Sequence, residues 1–266
     1  MWIYLAVTYA FSWAWWIPLA VRGTVVAPGQ GWPTHLLGLL GPAVGAVAAS
    51  WAEGGRDGVG DLWSRVVRWR VHWTWYALIA ATAALAILPL MLKHHVSAAD
   101  LTRYSGAPEL GLFTVFYVLV INGFGEETGW RGFLVERLLR RWSVNRTALA
   151  VWAVWALWHL PLFWVVKNFR DLGADGTVGW LVGVGFGSIL LTWLYRSATH
   201  SILIVALWHT AYNFATATTA TKGSAAAIAS TIVIVAAIVI LALPASRARP
   251  TNQEQAQREP IPREEH

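Results

Sequence analysis

The sequence contains no cysteine and few charged residues, and these two absences narrow the classes of protein that it can encode. Without cysteine the chain can form neither a disulfide framework nor a thiolate metal site, and cysteine usage says nothing about its redox compartment. Only 13% of its 266 residues are charged, whereas soluble domains average about 25%. With 56% hydrophobic residues and a mean hydropathy of +0.48, the composition is typical of a membrane protein.

Apolar stretches of about 20 residues recur along the chain, and each can cross a hydrocarbon core of about 30 Å. We therefore predict an all-α polytopic membrane protein of about eight transmembrane helices, with a polar chamber inside the membrane. The first span has no basic region or cleavage site typical of a signal peptide, so it is predicted to be a retained helix. The predicted spans are residues 1–21, 35–51, 72–92, 110–134, 147–166, 178–195, 201–218 and 224–243.

The loops and the tail predict how the chain is oriented. The net charge of +6 could indicate nucleic-acid binding, but the arginines cluster in loops between apolar runs, so no nucleic-acid partner is expected. Arginine is enriched in the segments 53–71, 137–146 and 245–266, which predicts cytoplasmic termini for a multi-pass protein, in the plasma membrane if the cell is bacterial. Residues 245–266 have little apolar content and are predicted to be a disordered cytoplasmic tail.

Two adjacent carboxylates and an arginine lie at the end of the fourth apolar run, as Glu126, Glu127 and Arg131. A charge inside a membrane costs at least about 2.5–3.5 kcal/mol, so such groups are expected to be paired, to face a water-filled cavity or to perform chemistry. Glu127 and Arg131 are spaced i and i+4, which predicts an intrahelical ion pair with a supporting role. Glu126 lies about 100° around the helix and is expected to have no partner within it.

Three polar groups in later spans could meet Glu126: His159, His209 and Asn213. His209 and Asn213 are spaced i and i+4 and so share a helix face. From the cytoplasmic ends of their spans, His159, His209 and Glu126 are about 18, 12 and 16 Å deep. These depths predict one chamber that opens toward the cytoplasmic half of the membrane.

Such a set of side chains suits the hydrolysis of an amide bond without a covalent intermediate. A carboxylate in an apolar pocket can act as a general base toward water, and a neighbouring histidine can hold that water and carry the proton. The second histidine and the asparagine can donate hydrogen bonds to a developing oxyanion.

The order and spacing of these motifs resemble a known family. Glu126-Glu127-x-x-x-Arg131, Trp155-x-x-x-His159, and Ser201-Ile202 followed by His209-x-x-x-Asn213 are similar to the CAAX protease and bacteriocin-processing family of intramembrane endopeptidases, and to type II CAAX prenyl endopeptidases. The chain would then consist of N-terminal transmembrane helices and loops in residues 1–109, a CAAX-protease-like catalytic core in 110–218, a last transmembrane helix in 219–244 and the tail.

The resemblance implies that Glu126 activates water, that His159 assists, and that His209 and Asn213 stabilise the oxyanion. Glu127 and Arg131 would support the site. Trp155 stands where the family more often has phenylalanine, and this position is expected to pack against its neighbours. The expected partners are the lipid bilayer and a peptide or membrane-anchored protein substrate.

Family members have been described both as glutamate-based proteases and as metalloenzymes, so cofactor use stays open. No cofactor is expected in the favoured interpretation, because Asn213 suits an oxyanion donor better than a metal ligand. In the alternative, Glu126, His159 and His209 would bind zinc and leave one coordination position for water. The sequence lacks a His-Glu-x-x-His helix that would favour zinc.

Two other functions compete with proteolysis. A non-catalytic membrane scaffold, or a protein that regulates a partner, could keep the same fold, although it would not need all four polar residues. A transporter could also carry ionisable residues in its spans, although the chain shows no clear internal repeat of the kind that transporters contain.

Overall fold

The computed structural model describes residues 1–30, 32–92 and 96–244, which are helical, with isolated β-bridges and no β-sheet among them. The predicted tail, 245–266, lies outside the described residues. Each of the eight predicted spans corresponds to a helical segment, so the all-α architecture is confirmed. The segments are α1 (Trp2–Val21), α2 (Gly41–Val66), α3 (Trp73–Leu92), α4 (Phe113 to Leu138), α5 (Val144–Trp158), α6 (Gly173–Ser197), α7 (Ile202–Thr216) and α8 (Ser224–Ala242).

Four short helices complete the described structure. Two are 3-10 helices, Leu36–Leu40 before α2 and Ala98–Leu101 before α4. The other two are the α-helices Leu162–Val165 and Lys167–Arg170, between α5 and α6. They bend the chain at the membrane boundaries, where polar backbone groups can meet water or neighbouring loops.

The eight helical segments fall into two groups, according to whether a single regular helix is long and apolar enough to cross a membrane. Five segments are each long and apolar enough to cross a membrane: Trp2–Val21, Leu36–Val66, Trp73–Met91, Gly173–Ser197 and Ser224–Ala242. The remaining three, α4, α5 and α7, carry the residues predicted for the site, except His159, which directly follows α5. Both α5 and α7 have 15 residues, so each spans only about 22 Å. The helices that hold the polar groups are therefore shorter or less regular than the apolar helices packed with them.

The loops gather at two ends of the bundle. At one end, which we call the Glu53 end, the Met1 amino group and Arg137 both pair with Glu53. At the other, which we call the Val26 end, the Val26 amide donates to Val165 O, and the Thr219 amide donates to Arg103 O. This alternation matches a chain that crosses the membrane repeatedly. That the Glu53 end faces the cytoplasm stays a prediction from the arginine distribution.

The predicted loop 53–71 is mostly helical, which corrects the expectation from its polar, glycine-rich sequence. Gly55 adopts φ 56°, a left-handed conformation that glycine tolerates, and α2 kinks there and continues to Val66. The second half of α2 is held by Arg65, whose guanidinium donates to Gly132 O at 3.0 Å and to the Tyr195 hydroxyl at 3.1 Å. The glycines of this stretch alone would disfavour a helix, and the tertiary contacts of Arg65 stabilise the helical conformation.

Glycines allow α4 to lie against the backbone of its neighbours. A Cβ atom on Gly129 would come within 2.4 Å of Pro42 O in α2, and one on Gly123 within 3.0 Å of Ala206 O in α7. Small residues at such contacts are typical of helix packing in membranes. They fix α4 between α2 and α7, and so fix where its charged residues lie.

Candidate active site

Segment α4 alternates between α-helix and π-helix around the two carboxylates. The α-helical pieces are Phe113–Val118, Gly125–Gly129 and Glu136–Leu138, and the π-helical pieces are Leu119–Phe124 and Trp130–Val135. Glu126 and Glu127 lie in the five-residue α-helical piece between the two π-helical ones. π-helical turns are rare in proteins, and those that occur are often found at functional sites. The irregular helix around Glu126 and Glu127 therefore indicates a functional site.

Glu126 is buried and is held by two neutral donors. The side-chain amide of Asn122 donates to Glu126 Oε1 at 2.8 Å, and the indole N–H of Trp155 donates to Oε2 at 2.7 Å. Asn122 lies one turn earlier in α4, so Glu126 does have a partner in its own helical segment, contrary to the expectation from the sequence. That amide in turn accepts a short hydrogen bond from Asn213, which joins Asn213 to Glu126 through one side chain.

Glu127 contacts an arginine and a histidine instead. Its Oε1 accepts from Arg131 Nη1 at 2.9 Å, which is the predicted i,i+4 ion pair, and lies 2.6 Å from His209 Nδ1. Both Glu127 and Arg131 are fully buried. Buried charges need partners of this kind, because an isolated ion in a low-dielectric interior is strongly unfavourable. The two neighbouring carboxylates therefore have different partners: Glu127 bonds to a guanidinium and an imidazole, and Glu126 bonds to amide and indole N–H groups.

His159 has a different partner from His209. It follows the last residue of α5, where its Nδ1 donates to the Trp155 carbonyl oxygen at 2.7 Å. A backbone carbonyl can only accept, so Nδ1 carries the proton and Nε2 has the free lone pair of a neutral imidazole. Its ring also lies among aromatic rings, with centroids 4.9 Å from Trp158 and 5.4 Å from Trp180.

Trp155 lies between the ionisable groups. Its ring meets that of His209 edge to face, with centroids 5.8 Å apart, and the centroid of His159 is 5.7 Å away. The guanidinium carbon of Arg131 lies 4.5 Å from the centre of the same indole. Glu126, His159 and His209 are therefore brought together around one side chain, rather than through direct hydrogen bonds with one another among the described residues.

The comparison with known families gives this arrangement a context. Residues 108–215 match the sequence pattern of a family described as type II CAAX prenyl endopeptidase Rce1-like. Residues 108–215 therefore form an Rce1-like region. The resemblance inferred from the motifs is confirmed, and it indicates an intramembrane protease, a hydrolase. Among curated proteins, none matches the chain.

All the predicted site residues fall inside the Rce1-like region, and the site lies toward the Val26 end of the bundle. Helix α5 begins at Val144, three residues before the predicted span, and reaches about 22 Å before His159 follows it. Asn213 lies in the last turn of α7, and Thr218 soon after it forms a bridge to Tyr104. His159 thus lies about 4 Å farther from the Glu53 end than its predicted depth of about 18 Å, and the opening of the chamber toward the cytoplasmic half stays a prediction.

A loop outside the Rce1-like region closes this side of the site. Tyr104 is buried, and its ring stacks on that of Phe214 with centroids 5.5 Å apart, one residue after Asn213. Burial raises the pKa of Tyr104, and the nearby negative charge of Glu126 raises it further. Tyr104 therefore lies near the carboxylate of Glu126, in the loop that precedes α4.

The zinc alternative does not fit the side chains as they lie. Within residues 1–30, 32–92 and 96–244, no group of three or more histidines and acids is close enough to hold a metal ion. The Nδ1 atoms of His159 and His209 are engaged in hydrogen bonds, so ligation of zinc would use their Nε2 atoms. Metal ligation by Glu126, His159 and His209 would require these three side chains to come closer together.

Sequence reasoning missed the roles of three residues around the carboxylate of Glu126. Asn122 and Trp155 donate hydrogen bonds to it directly, and Tyr104 lies near it. The i,i+4 spacing of Asn122 and Glu126 could have indicated their bond, whereas nothing in the sequence signals the position of Tyr104.

Proposed function

We propose that this protein is an intramembrane endopeptidase of the glutamic type, in which Glu126 activates water for attack on a peptide bond. One observation carries the proposal. Of two adjacent buried carboxylates, Glu127 binds the guanidinium and an imidazole, while Glu126, among the described residues, accepts only from Asn122 and Trp155. A carboxylate without a cation at hydrogen-bond distance keeps more of its basicity than one in an ion pair, because an opposite charge stabilises the ionised form.

The first half of the reaction would use Glu126 and His159. Glu126 takes a proton from water as the water oxygen bonds to the carbonyl carbon, and the Nε2 lone pair of His159 accepts the other water hydrogen and orients the nucleophile. The proton taken up by Glu126 then passes to the leaving nitrogen as the carbon–nitrogen bond breaks. This sequence yields a carboxylic acid and an amine with no covalent enzyme intermediate.

The second part of the mechanism is stabilisation of the oxyanion by His209 and Asn213. A carboxylate beside Nδ1 favours the imidazolium form of a histidine, whose Nε2–H is then available as a donor. Asn213 uses one N–H for Asn122, and its amide has a second. Removing one donor of this kind typically lowers kcat by about 10²–10³-fold.

The substrate is proposed to be a peptide or a membrane-anchored protein. The family description names prenylated CAAX sequences, so a fluorescence-quenched peptide with a prenylated CAAX end is the first probe. The same peptide without the prenyl group tests whether the lipid is needed. Both are offered to the full chain in detergent micelles.

Replacing the proposed base gives the decisive test. We expect Glu126→Gln to lower kcat by roughly 10²–10⁴-fold, because the amide cannot take a proton from water while its shape is nearly unchanged. Peptide cleavage and thermal unfolding are measured on the same preparation. The control is Glu136→Gln, which changes a third glutamate of α4 that is only partly buried and lies away from the site.

Two outcomes contradict the proposal: equal cleavage by wild type and Glu126→Gln, or no cleavage of either peptide by the folded wild type. The same assay with a chelator separates the mechanisms. Activity that is lost with chelator and restored by added zinc would support the metalloenzyme alternative instead.

A further inference from the structure

One residue touches both proposed partners of the water. The side chain of Trp155 donates to Glu126 Oε2 at 2.7 Å, and its backbone carbonyl accepts from His159 Nδ1 at 2.7 Å. The side-chain bond holds the carboxylate, and the backbone bond fixes which nitrogen of His159 carries the proton. The separation between the base and the histidine is therefore set largely within residue 155 and the turn that follows it.

The two hydrogen bonds to Glu126 come from different parts of the molecule. Asn122 belongs to α4, the same segment as Glu126, and moves with it. Trp155 belongs to α5 and lies 29 residues away in sequence. The indole is thus the contact that ties the carboxylate of α4 to the helix that carries His159. Without it, the carboxylate would keep only a donor from its own segment and could rotate about its side-chain torsions.

We propose that Trp155 is a positioning residue whose indole N–H orients the carboxylate of Glu126 relative to His159. This inference rests on the proposed function, since it concerns the geometry of the same base. Trp155 is not itself a catalytic group, because it acts through Glu126 and His159. Catalytic groups that are misplaced by even about 1 Å can lose around 10²-fold in rate, so a single orienting bond can have a large kinetic effect.

Trp158 provides a matched comparison in the same helix. It is also buried, its ring also contacts that of His159, and its indole N–H also donates a short bond, at 2.8 Å. Its acceptor, however, is the hydroxyl of Ser12 in α1 rather than Glu126. The two tryptophans share burial, helix and bond length, and they differ in the group that the N–H holds.

The test replaces a single N–H at each position. Incorporating 3-benzothienylalanine at residue 155 or 158 puts sulfur in place of the indole N–H and keeps the fused ring. Removing a hydrogen bond to a charged group corresponds to about 10- to 100-fold in rate, so we expect kcat to fall by that factor at position 155 with KM unchanged. At position 158 we expect kcat within about twofold of wild type. If the protein with 3-benzothienylalanine at residue 155 does not fold, Trp155→Phe is the second variant, which also removes the indole N–H.

The thermal unfolding midpoint separates positioning from packing. Both replacements remove one buried hydrogen bond, so both midpoints should fall, and the fall should be somewhat larger at position 155, where the acceptor is a carboxylate. An unchanged kcat at position 155, an equal loss of kcat at both positions, or an effect on KM alone overturns the positioning role. Failure of the proposed function is seen separately, because Glu126→Gln would then remain active.

Discussion

Two carboxylates of α4 each join a histidine to an arginine, one within the proposed site and the other at the Glu53 end. In the site, Glu127 lies 2.6 Å from His209 Nδ1 and 2.9 Å from Arg131 Nη1. All three side chains are buried, and the guanidinium also lies against an indole ring. We call these three side chains the Glu127 set, and a further carboxylate, Glu126, lies directly beside them.

At the Glu53 end, Glu136 makes nearly the same contacts in a different setting. It lies 2.6 Å from His200 Nδ1 and 3.4 Å from Arg65 Nη1, and it accepts from the Tyr195 hydroxyl at 2.9 Å. The side chain of Glu136 is 15% exposed and that of His200 23%. Arg65 also pairs with Asp61 at 2.7 Å, so its charge does not depend on Glu136 alone.

The difference shows which feature distinguishes the site. A carboxylate between an imidazole and a guanidinium occurs in both places, so this arrangement alone does not indicate chemistry. Only the set in the site adjoins a second buried carboxylate held by neutral donors. The set at the Glu53 end joins α2, α4 and the turn before α7, which is what a structural contact does.

The largest expected difference between the two sets is in the unfolding free energy that is lost when the carboxylate is replaced. Glu127→Gln leaves the Arg131 charge buried without its carboxylate, and breaking a buried pair from one side costs about 3–5 kcal/mol of unfolding free energy. Glu136→Gln should cost only about 1–2 kcal/mol, because Arg65 keeps Asp61 and the amide can still accept from Tyr195. Unfolding in mixed micelles with increasing denaturing detergent measures both values. Equal losses for the two variants would remove the distinction between the sets.

The second largest expected difference is in kcat, which the loss of His209 should lower far more than the loss of His200. His209→Ala is expected to lower kcat by about 10²–10³-fold, since it removes a proposed oxyanion donor. His200→Ala should leave kcat within about threefold, because its partner Glu136 is remote from the water. Cleavage of the quenched peptide measures both rates. A comparable loss of kcat in His200→Ala would show that the Glu53 end takes part in the reaction.

The sequence predicts the scaffold of this protein better than its fine geometry. Apolar stretches of the sequence coincide with all eight helical segments, five of which are long and apolar enough to cross a membrane, since few structures other than helices can satisfy the backbone inside lipid. The spacing of Glu127 and Arg131 predicts their ion pair, because residues four apart share a helix face. These features depend on local sequence, so they can be read without knowledge of the neighbours.

What could not be predicted depends on contacts between distant segments. The indole of Trp155 binds a carboxylate 29 residues away, and its sequence position indicates only an aromatic side chain that packs. The helical continuation of α2 past Gly55 is held by Arg65, which reaches the backbone at Gly132. The π-helical turns of α4 likewise have no sequence signature, since π-helices form mostly as local adjustments within α-helices.

The smallest expected effect concerns pH and the set at the Glu53 end. Glu136 lies beyond the predicted span, in the last turn of α4. Burial raises its pKa, but the hydrogen bond and charge of His200, the charge of Arg65 and the hydroxyl of Tyr195 together lower it to about 2. Because the pKa is lower in the folded protein than the ordinary 4.5, the ionised carboxylate stabilises the fold fully above pH 4.5. That contribution is lost as the pH falls toward 2.

The variant Glu136→Gln isolates this effect from every other titrating group. The unfolding free energy of wild type should exceed that of the variant by about 1–2 kcal/mol near neutral pH, and the gap should close between pH 4.5 and 2. Glu109→Gln, which changes an exposed carboxylate paired with Arg103, is the control and should show a gap of less than about 1 kcal/mol at neutral pH. A gap for Glu136→Gln that persists at pH 2 would mean that the contact depends on shape and not on charge. The resemblance to the Glu127 set would then be one of geometry alone.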